Sequence, residues 1–314
     1  MNRNSNATLT ADGHPVWLCA AVDRPEEISS ALEAAPDGFF LKSDPASARA
    51  DGPPSEEELL SFYRLTARAA GRKPVTVRTA AARFSAPEAD RRTDTDAGAV
   101  PAERLLRQLR AVLHPGTGGC FQLLFPLIRQ LEDLLRYKEL LDRARQELTA
   151  DGTAPPRAST GMVVEVPAAV TGLEMFTHEI NFVCLDEVLL WRSLCLPENH
   201  PDRENIDPSF HPALYYQIRL LVDTAHKRRK RVSLFARAAG EPAAVPILIA
   251  LGLDELIMPA EKIPAVRRIV ERLTLPEARL IGAKAISYAS SAGIKKYAGE
   301  ALARLMRRQL PAKR

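Results

Sequence analysis

RVSLFARAAGEPAAVPILIALGLDELIM, residues 231–258, decides the fold. It opens on an apolar run at 231–236 (RVSLFA), continues through a helical segment, PAAVPILIALG at 242–252, and ends on a second short apolar run at 255–258 (ELIM). Short apolar runs alternating with longer stretches of helical period are the pattern of a parallel sheet covered by helices. Working outward, the same alternation predicts strands near 16–22 (VWLCAAV), 38–42 (GFFLK), 74–79 (PVTVRT), 121–126 (FQLLFP), 161–166 (GMVVEV) and 181–185 (NFVCL). Between them lie helical segments such as SEEELLSFYRLTARAA, AERLLRQLRAVL, LEDLLRYKELLDRARQELT and PALYYQIRLLVDTAHKRR. In the first of these, Ser55 followed by Glu56, Glu57 and Glu58 reads as an N-cap with acids in the first turn.

Eight strands, each followed by a helical segment, favour a closed (β/α)8 TIM barrel over an open doubly wound sheet. The 314 residues, 46% hydrophobic, accommodate one such domain, which takes about 250 residues. The expected organisation is a flexible polar leader at 1–14, the barrel at 15–275, and a helical extension at 276–314 that completes the barrel and then frays. Residues 80–100, rich in Asp and Arg, and residues 149–160, with Gly152, Pro155 and Pro156, read as loops.

Lys and Arg number 43 against 39 Asp and Glu, a net charge of +4 that does not call for nucleic acid. The densest basic run, Lys227 to Arg231, reads as cations at a helix C-terminus, with an anion or RNA patch as the alternative. Cys19, Cys120, Cys184 and Cys195 form no C-x-x-C pair and read as buried free thiols of a cytoplasmic protein. No apolar stretch approaches the roughly 20 residues a membrane span needs, and the polar start has no signal core. The GTGG run at 116–119 precedes a strand rather than opening a helix, so it is no phosphate loop. The six histidines are scattered, with no partner in sequence.

In a barrel of this kind the reacting groups sit at the C-terminal ends of the strands. Those positions read Lys42, Arg78, Pro126, Glu165, Asp186 to Leu189, Phe235 to Arg237 and Pro259. Here, through VTVRT, MVVEVPAA and GLDELIMPAEKIP together with DGFFLKSD, FQLLFPLI and NFVCLDEVLL, the chain resembles the phosphoenolpyruvate-binding C-terminal domain of enzyme I of the sugar phosphotransferase system and its relatives, over residues 16–275. The resemblance implies a barrel of the phosphoenolpyruvate/pyruvate-binding superfamily. It also implies Mg²⁺ held by two carboxylates, arginines around the phosphate, and a thiol that protonates an enolate. Phosphoenolpyruvate carries several negative charges, so its chemistry rests on cations that neutralise and orient it, and a hard cation takes oxygen ligands.

Matched position by position, Glu165 falls on the first metal-binding carboxylate and Arg78 on a phosphate-binding arginine. Lys42 replaces a family arginine and gives up its bidentate fork. The family's Gly-Thr-Asn-Asp-Leu becomes Asp186-Glu187-Val188-Leu189-Leu190, so the second metal carboxylate is Leu189. The thiol position is Phe235, and Arg237 stands where an acid is expected. Two readings of Glu165 stay open: a ligand for metal, or a strand-end carboxylate paired with Arg78 or Arg237. Arg78 is likewise a ligand contact or an internal ion pair. If the strand continues past Asp186, Glu187 shares the face of Leu189 and reaches a metal also held by Glu165. Phe235 reads as a plug at the barrel mouth. The domain of enzyme I that carries the phosphorylated histidine has no counterpart expected in a short leader.

The expected function is therefore a catalytically degenerate barrel acting as a regulatory or interaction module. Its candidate ligand is an acidic metabolite such as phosphoenolpyruvate or pyruvate at Lys42, Arg78 and Arg237, with Mg²⁺ at Glu165 and Glu187 weak or lost. The alternative is a Mg²⁺-dependent phosphoenolpyruvate or oxoacid enzyme, of phosphotransferase or lyase type, with a remodelled site. The resemblance further implies a homodimer, with Ala213 to Val222 as a candidate surface.

Overall fold

A computed structural model describes residues 7–42, 54–84, 100–196 and 200–307. Eight parallel strands form the barrel: β1 (Pro15–Val22), β2 (Gly38–Leu41), β3 (Pro74–Arg78), β4 (Cys120–Phe125), β5 (Ser159–Val164), β6 (Phe182–Asp186), β7 (Arg231–Phe235) and β8 (Glu255–Pro259). Each pairs with the next in chain order, and β8 pairs with β1 (Ile257 opposite Cys19), which closes the sheet without an edge. All eight fall where the alternation of apolar runs puts them.

Period-two alternation sorts the strand residues between two cores. On β1, Val16, Leu18, Ala20 and Val22 face the surrounding helices, while Trp17, Cys19 and Ala21 point into the barrel. Phe40, Leu124, Val163, Phe182, Cys184 and Ile257 join them, filling the interior in layers rather than leaving a pore. Gly161 makes room for one of these rings. A Cβ there would lie 2.6 Å from the Phe182 carbonyl oxygen and 2.8 Å from its ring.

The outer ring consists of α1 (Pro25–Ala31), α2 (Glu56–Ala70), α3 (Ala102–Leu113), α4 (Leu131–Ala150), the short α5 (Pro167–Thr171) and α6 (Leu173–Phe176), α7 (Val188–Ser193), α8 (Pro212–Lys227), α9 (Val245–Ala250) and α10 (Ile263–Val270). Helix α2 buries Leu59, Tyr63, Thr66, Ala67 and Ala70, one stripe at helical spacing. Its start is the capping box expected at Ser55: the hydroxyl accepts the Glu58 N–H at 3.2 Å, and the Glu58 carboxylate accepts the Ser55 N–H at 2.8 Å.

Two further helices, α11 (Leu275–Ile286) and α12 (Ser291–Arg307), form the C-terminal extension, with α11 packed on α9. Residues 308–314, where fraying was expected, lie outside the described residues, as do 1–6 of the leader and 85–99 of the loop at 80–100. The described part of the leader is tied down, contrary to the flexible segment expected. Thr8–Leu9 pairs antiparallel with the start of β1, and Thr8 and Thr10 are buried. The Asp37 carboxylate accepts the Thr8 N–H at 3.1 Å, its hydroxyl at 2.8 Å and the Leu18 N–H at 2.9 Å, while Arg267 meets it at 3.2 Å. A buried carboxylate persists where its oxygens find such partners. Residues 82–83 and 100–101 of the loop also pair, as a two-residue parallel bridge.

The cysteines divide. Cys19 and Cys184 are buried and burial pushes both thiols up, whereas Cys120 at the start of β4 and Cys195 after α7 are exposed. Proximity to apolar runs was a poor guide at these two because both sit at element ends.

Candidate functional site

The C-terminal mouth of the barrel brings together residues from β3, β5 and β6. On β3, Val75 and Val77 are buried among the outer core, which turns Arg78 into the barrel. On β6, Phe182, Cys184 and Asp186 share the inward face, so the strand ends on a carboxylate. Glu165 follows the last residue of β5.

The Arg78 guanidinium bridges the two acids. Its Nη1 donates to Asp186 Oδ2 at 2.6 Å and its Nη2 donates to Glu165 Oε1. The outer oxygens are held by the backbone: Val188 N–H donates to Asp186 Oδ1 at 2.9 Å, and Leu127 N–H to Glu165 Oε2 at 3.1 Å. Leu127 adopts the left-handed region (φ 55°) that leucine disfavours. Arg192 of α7 donates to the Glu165 carbonyl at 3.2 Å and lies 3.7 Å from its Oε2. Glu165 is 3% and Asp186 5% exposed, so these pairs act with little solvent screening. Burial opposes the charge on Arg78, but Asp186 and Glu165 outweigh it and raise its pKa. Burial raises the Glu165 carboxyl above the usual range, and the arginines only partly offset it.

Beside this cluster opens a cleft of about 600 Å³, whose apolar lining includes Ala21, Phe235, Ala236, Ile257 and Pro259. Its charged lining comprises Lys42, Arg237 and Lys262 against Asp186, Glu187, Asp207 and Glu241. Most of these are paired: Lys42 with Asp23 at 3.0 Å, Asp207 with Lys295 at 2.8 Å, and Glu187 with Arg237 at 3.7 Å. The Glu187 carboxylate also accepts the Arg237 N–H at 2.7 Å. Phe235 lines the cleft with its ring 5.0 Å from that of Phe40.

Of the residues singled out in the sequence, Lys42, Glu187, Phe235 and Arg237 thus meet around the cleft, whereas Arg78 and Glu165 engage each other beside it. Glu165 pairs with Arg78, not Arg237. The chain does not stay extended past Asp186: Glu187 is αR and α7 begins at Val188, so Leu189 is a fully buried helix residue and shares no strand face with Glu187. Asp186 stood among the strand-end positions but was given no role, and Arg192, Asp207 and Lys262 were not anticipated. Asp186 was the legible one, since inward residues at 182 and 184 make 186 inward too. The other three come from elements outside the strand ends.

The divalent cation implied by the resemblance does not fit these residues. Both Glu165 oxygens and both Asp186 oxygens already have donors, Glu187 is tied to Arg237, and among the described residues no three His, Cys, Asp or Glu converge as metal ligands. A hard divalent ion takes about six oxygens.

A closed eight-stranded parallel barrel with a charged cluster at its C-terminal mouth defines an α/β-barrel of the TIM type. The family model of the PEP-utilising enzyme, PEP-binding domain, matches residues 97–275, and the chain belongs to that family. It is 28% identical over 289 residues to the phosphoenolpyruvate-protein phosphotransferase of Geobacillus stearothermophilus, covering 88% of this chain and 50% of the relative. It is 27% identical over 295 residues to multiphosphoryl transfer protein 1 of Escherichia coli K12, covering 87% of this chain and 35% of that protein. The chain spans half or less of the length of these relatives.

Among solved structures, a Haloferax volcanii malate synthase in ternary complex with pyruvate and acetyl-CoA superposes with a TM-score of 0.57 at 11% identity, over 82% of this chain and 69% of that one. A citrate lyase from Burkholderia xenovorans LB400 gives 0.53 at 14% identity, over 97% of this chain and 98% of that one. These likenesses concern the fold. No helix among the described residues is long and apolar enough to cross a membrane.

Proposed function

We propose that this chain is a catalytically degenerate barrel of the PEP-utilising family, a regulatory or interaction module whose cleft recognises a small oxoacid without turning it over. One observation carries the reading. Phe235, at the position matched to the family's proton-donating thiol, presents an aromatic ring to the cleft and packs on Phe40. A phenyl ring neither donates nor accepts the proton that interconverts enolate and pyruvate. The cleft's three cations face four carboxylates, so its field repels a multiply charged phosphate ester more than a monoanion. Pyruvate suits it better than phosphoenolpyruvate, with Arg237 and Lys262 as its cationic contacts.

The test is proton exchange at the pyruvate methyl group in D₂O, followed by NMR with and without Mg²⁺, alongside thermal unfolding with pyruvate and with phosphoenolpyruvate. A ligand at a hundred times its dissociation constant stabilises by about 2.7 kcal/mol. The expected result is a raised midpoint with pyruvate and no exchange above the protein-free rate. Exchange that needs the protein would overturn this reading in favour of a remodelled enzyme of lyase or phosphotransferase type. We further read the chain as a homodimer. In the stretch Ala213 to Val222, Leu214, Tyr215, Ile218, Leu221 and Val222 serve the barrel core, which leaves exposed Tyr216 and Leu220 for a contact. Light scattering that reports a monomer at micromolar concentration would sink the dimer.

A further inference from the structure

We propose that the Arg78 guanidinium is a built-in cation that takes the place of a divalent metal at the barrel mouth, and that removing it uncovers a divalent-cation site between Glu165 and Asp186. The two carboxylates come from adjacent strands, β5 and β6, while the guanidinium reaches them from β3, across the mouth. Separate nitrogens of one planar fork meet one oxygen of each acid. The remaining oxygen of each is fixed by a backbone N–H, so both carboxylates are oriented by the strand ends and not by the arginine alone. With Arg192 3.7 Å from Glu165 Oε2, two negative charges meet two positive ones and the cluster is neutral. A divalent ion entering it would have to displace a guanidinium and then face Arg192.

Taking away Arg78 changes that balance. Two buried carboxylates, still oriented by Leu127 and Val188, would share a space vacated by a side chain, with a single flanking cation. Buried charge of this kind is costly until it is neutralised. A small hard cation with water completing its shell is the matching ligand class.

The experiment uses the full chain and Mn²⁺, read by the paramagnetic resonance signal of the free ion, with thermal unfolding in the presence and absence of Mg²⁺. Wild type should leave the Mn²⁺ signal at its protein-free intensity, and its midpoint should not respond to Mg²⁺. Arg78→Ala should unfold at lower temperature, remove Mn²⁺ from solution at one ion per chain, and regain part of its midpoint with Mg²⁺. Adding Glu165→Gln to Arg78→Ala should abolish that binding. If Arg78→Ala does not fold by itself, refolding with Mn²⁺ should restore it; failure to do so counts against the proposal. An Arg78→Ala protein that folds but ignores both metals overturns it, as does a wild type whose Mn²⁺ binding disappears in Glu165→Gln. The metal readout is separate from turnover: a wild type that exchanges pyruvate protons yet binds no Mn²⁺ would defeat the non-catalytic reading and leave this one standing.

Discussion

Two cations at the barrel mouth make opposite demands on the chain. Arg78 holds two buried carboxylates, whereas Lys42 pairs with Asp23 where both side chains are a third or more exposed. Arg78→Ala should cost about 3–5 kcal/mol, the penalty for leaving buried charge unpaired, and Lys42→Ala no more than about 1 kcal/mol; urea unfolding of the two variants checks the ranking. His226 supplies a pH dependence. Its Nε2 lies 2.9 Å from Asp254 Oδ2, and that contact raises its pKa above the ordinary 6.5. A raised histidine binds its proton more tightly folded than unfolded, so its contribution is complete below pH 6.5 and is lost as pH rises through the folded value. The drop in unfolding midpoint on going from pH 6 to pH 9 should be smaller in His226→Gln than in wild type. In the sequence, the pairing of Glu165 with Arg78 was one of two open readings. Asp186 was read as a strand-end position but received no role, because it matches a family glycine and such matching assigns roles by position while strand alternation assigns them by direction.

The strands were legible to within about two residues, because each is a short apolar run that must be buried on both faces. What was not legible is where β6 gives way to α7. The run Asp186-Glu187-Val188-Leu189 holds no glycine or proline to mark the turn. The capping box at Ser55 was readable because its two halves lie three residues apart, and Ser55→Ala should cost about 1 kcal/mol of unfolding free energy. Gly161 carried no such mark. Its lack of a Cβ lets β5 lie against the Phe182 backbone and ring at a distance no side chain allows, and backbone cannot yield as a flexible side chain can. Gly161→Ala should therefore destabilise by about 1–3 kcal/mol, as overpacking does, and by more than Gly299→Ala, where a Cβ would meet nothing within 4 Å. Thermal unfolding of the pair separates steric cost from any general effect of replacing glycine.

The closing strand β1 is flanked at its start by a segment whose composition reads as polar and unstructured. The periodicity that reveals strands and helices is absent from residues 7–14, so the sequence offered no sign that they are held. What holds them is specific: Thr8 on Asp37, Ala11 N–H on the Leu273 carbonyl at 3.0 Å, and the Asp12 carboxylate accepting the Leu275 N–H at 3.0 Å. Deleting residues 1–13 would strip Asp37 of its two Thr8 donors, and hydrogen bonds to charged groups contribute about 1.5–3 kcal/mol each. The truncated chain should unfold at a lower urea midpoint than full-length protein, and Asp37→Asn should lose less when the leader is already absent, as expected of groups in one network. At the other end of the chain, Arg272 donates to the Met306 carbonyl at 2.9 Å. The turn at Arg272 and Leu273 thus receives both the leader and the last described helix, on the face of the barrel opposite the cleft. Over the described residues the chain's path thus opens and closes at one corner, away from the groups that line the mouth.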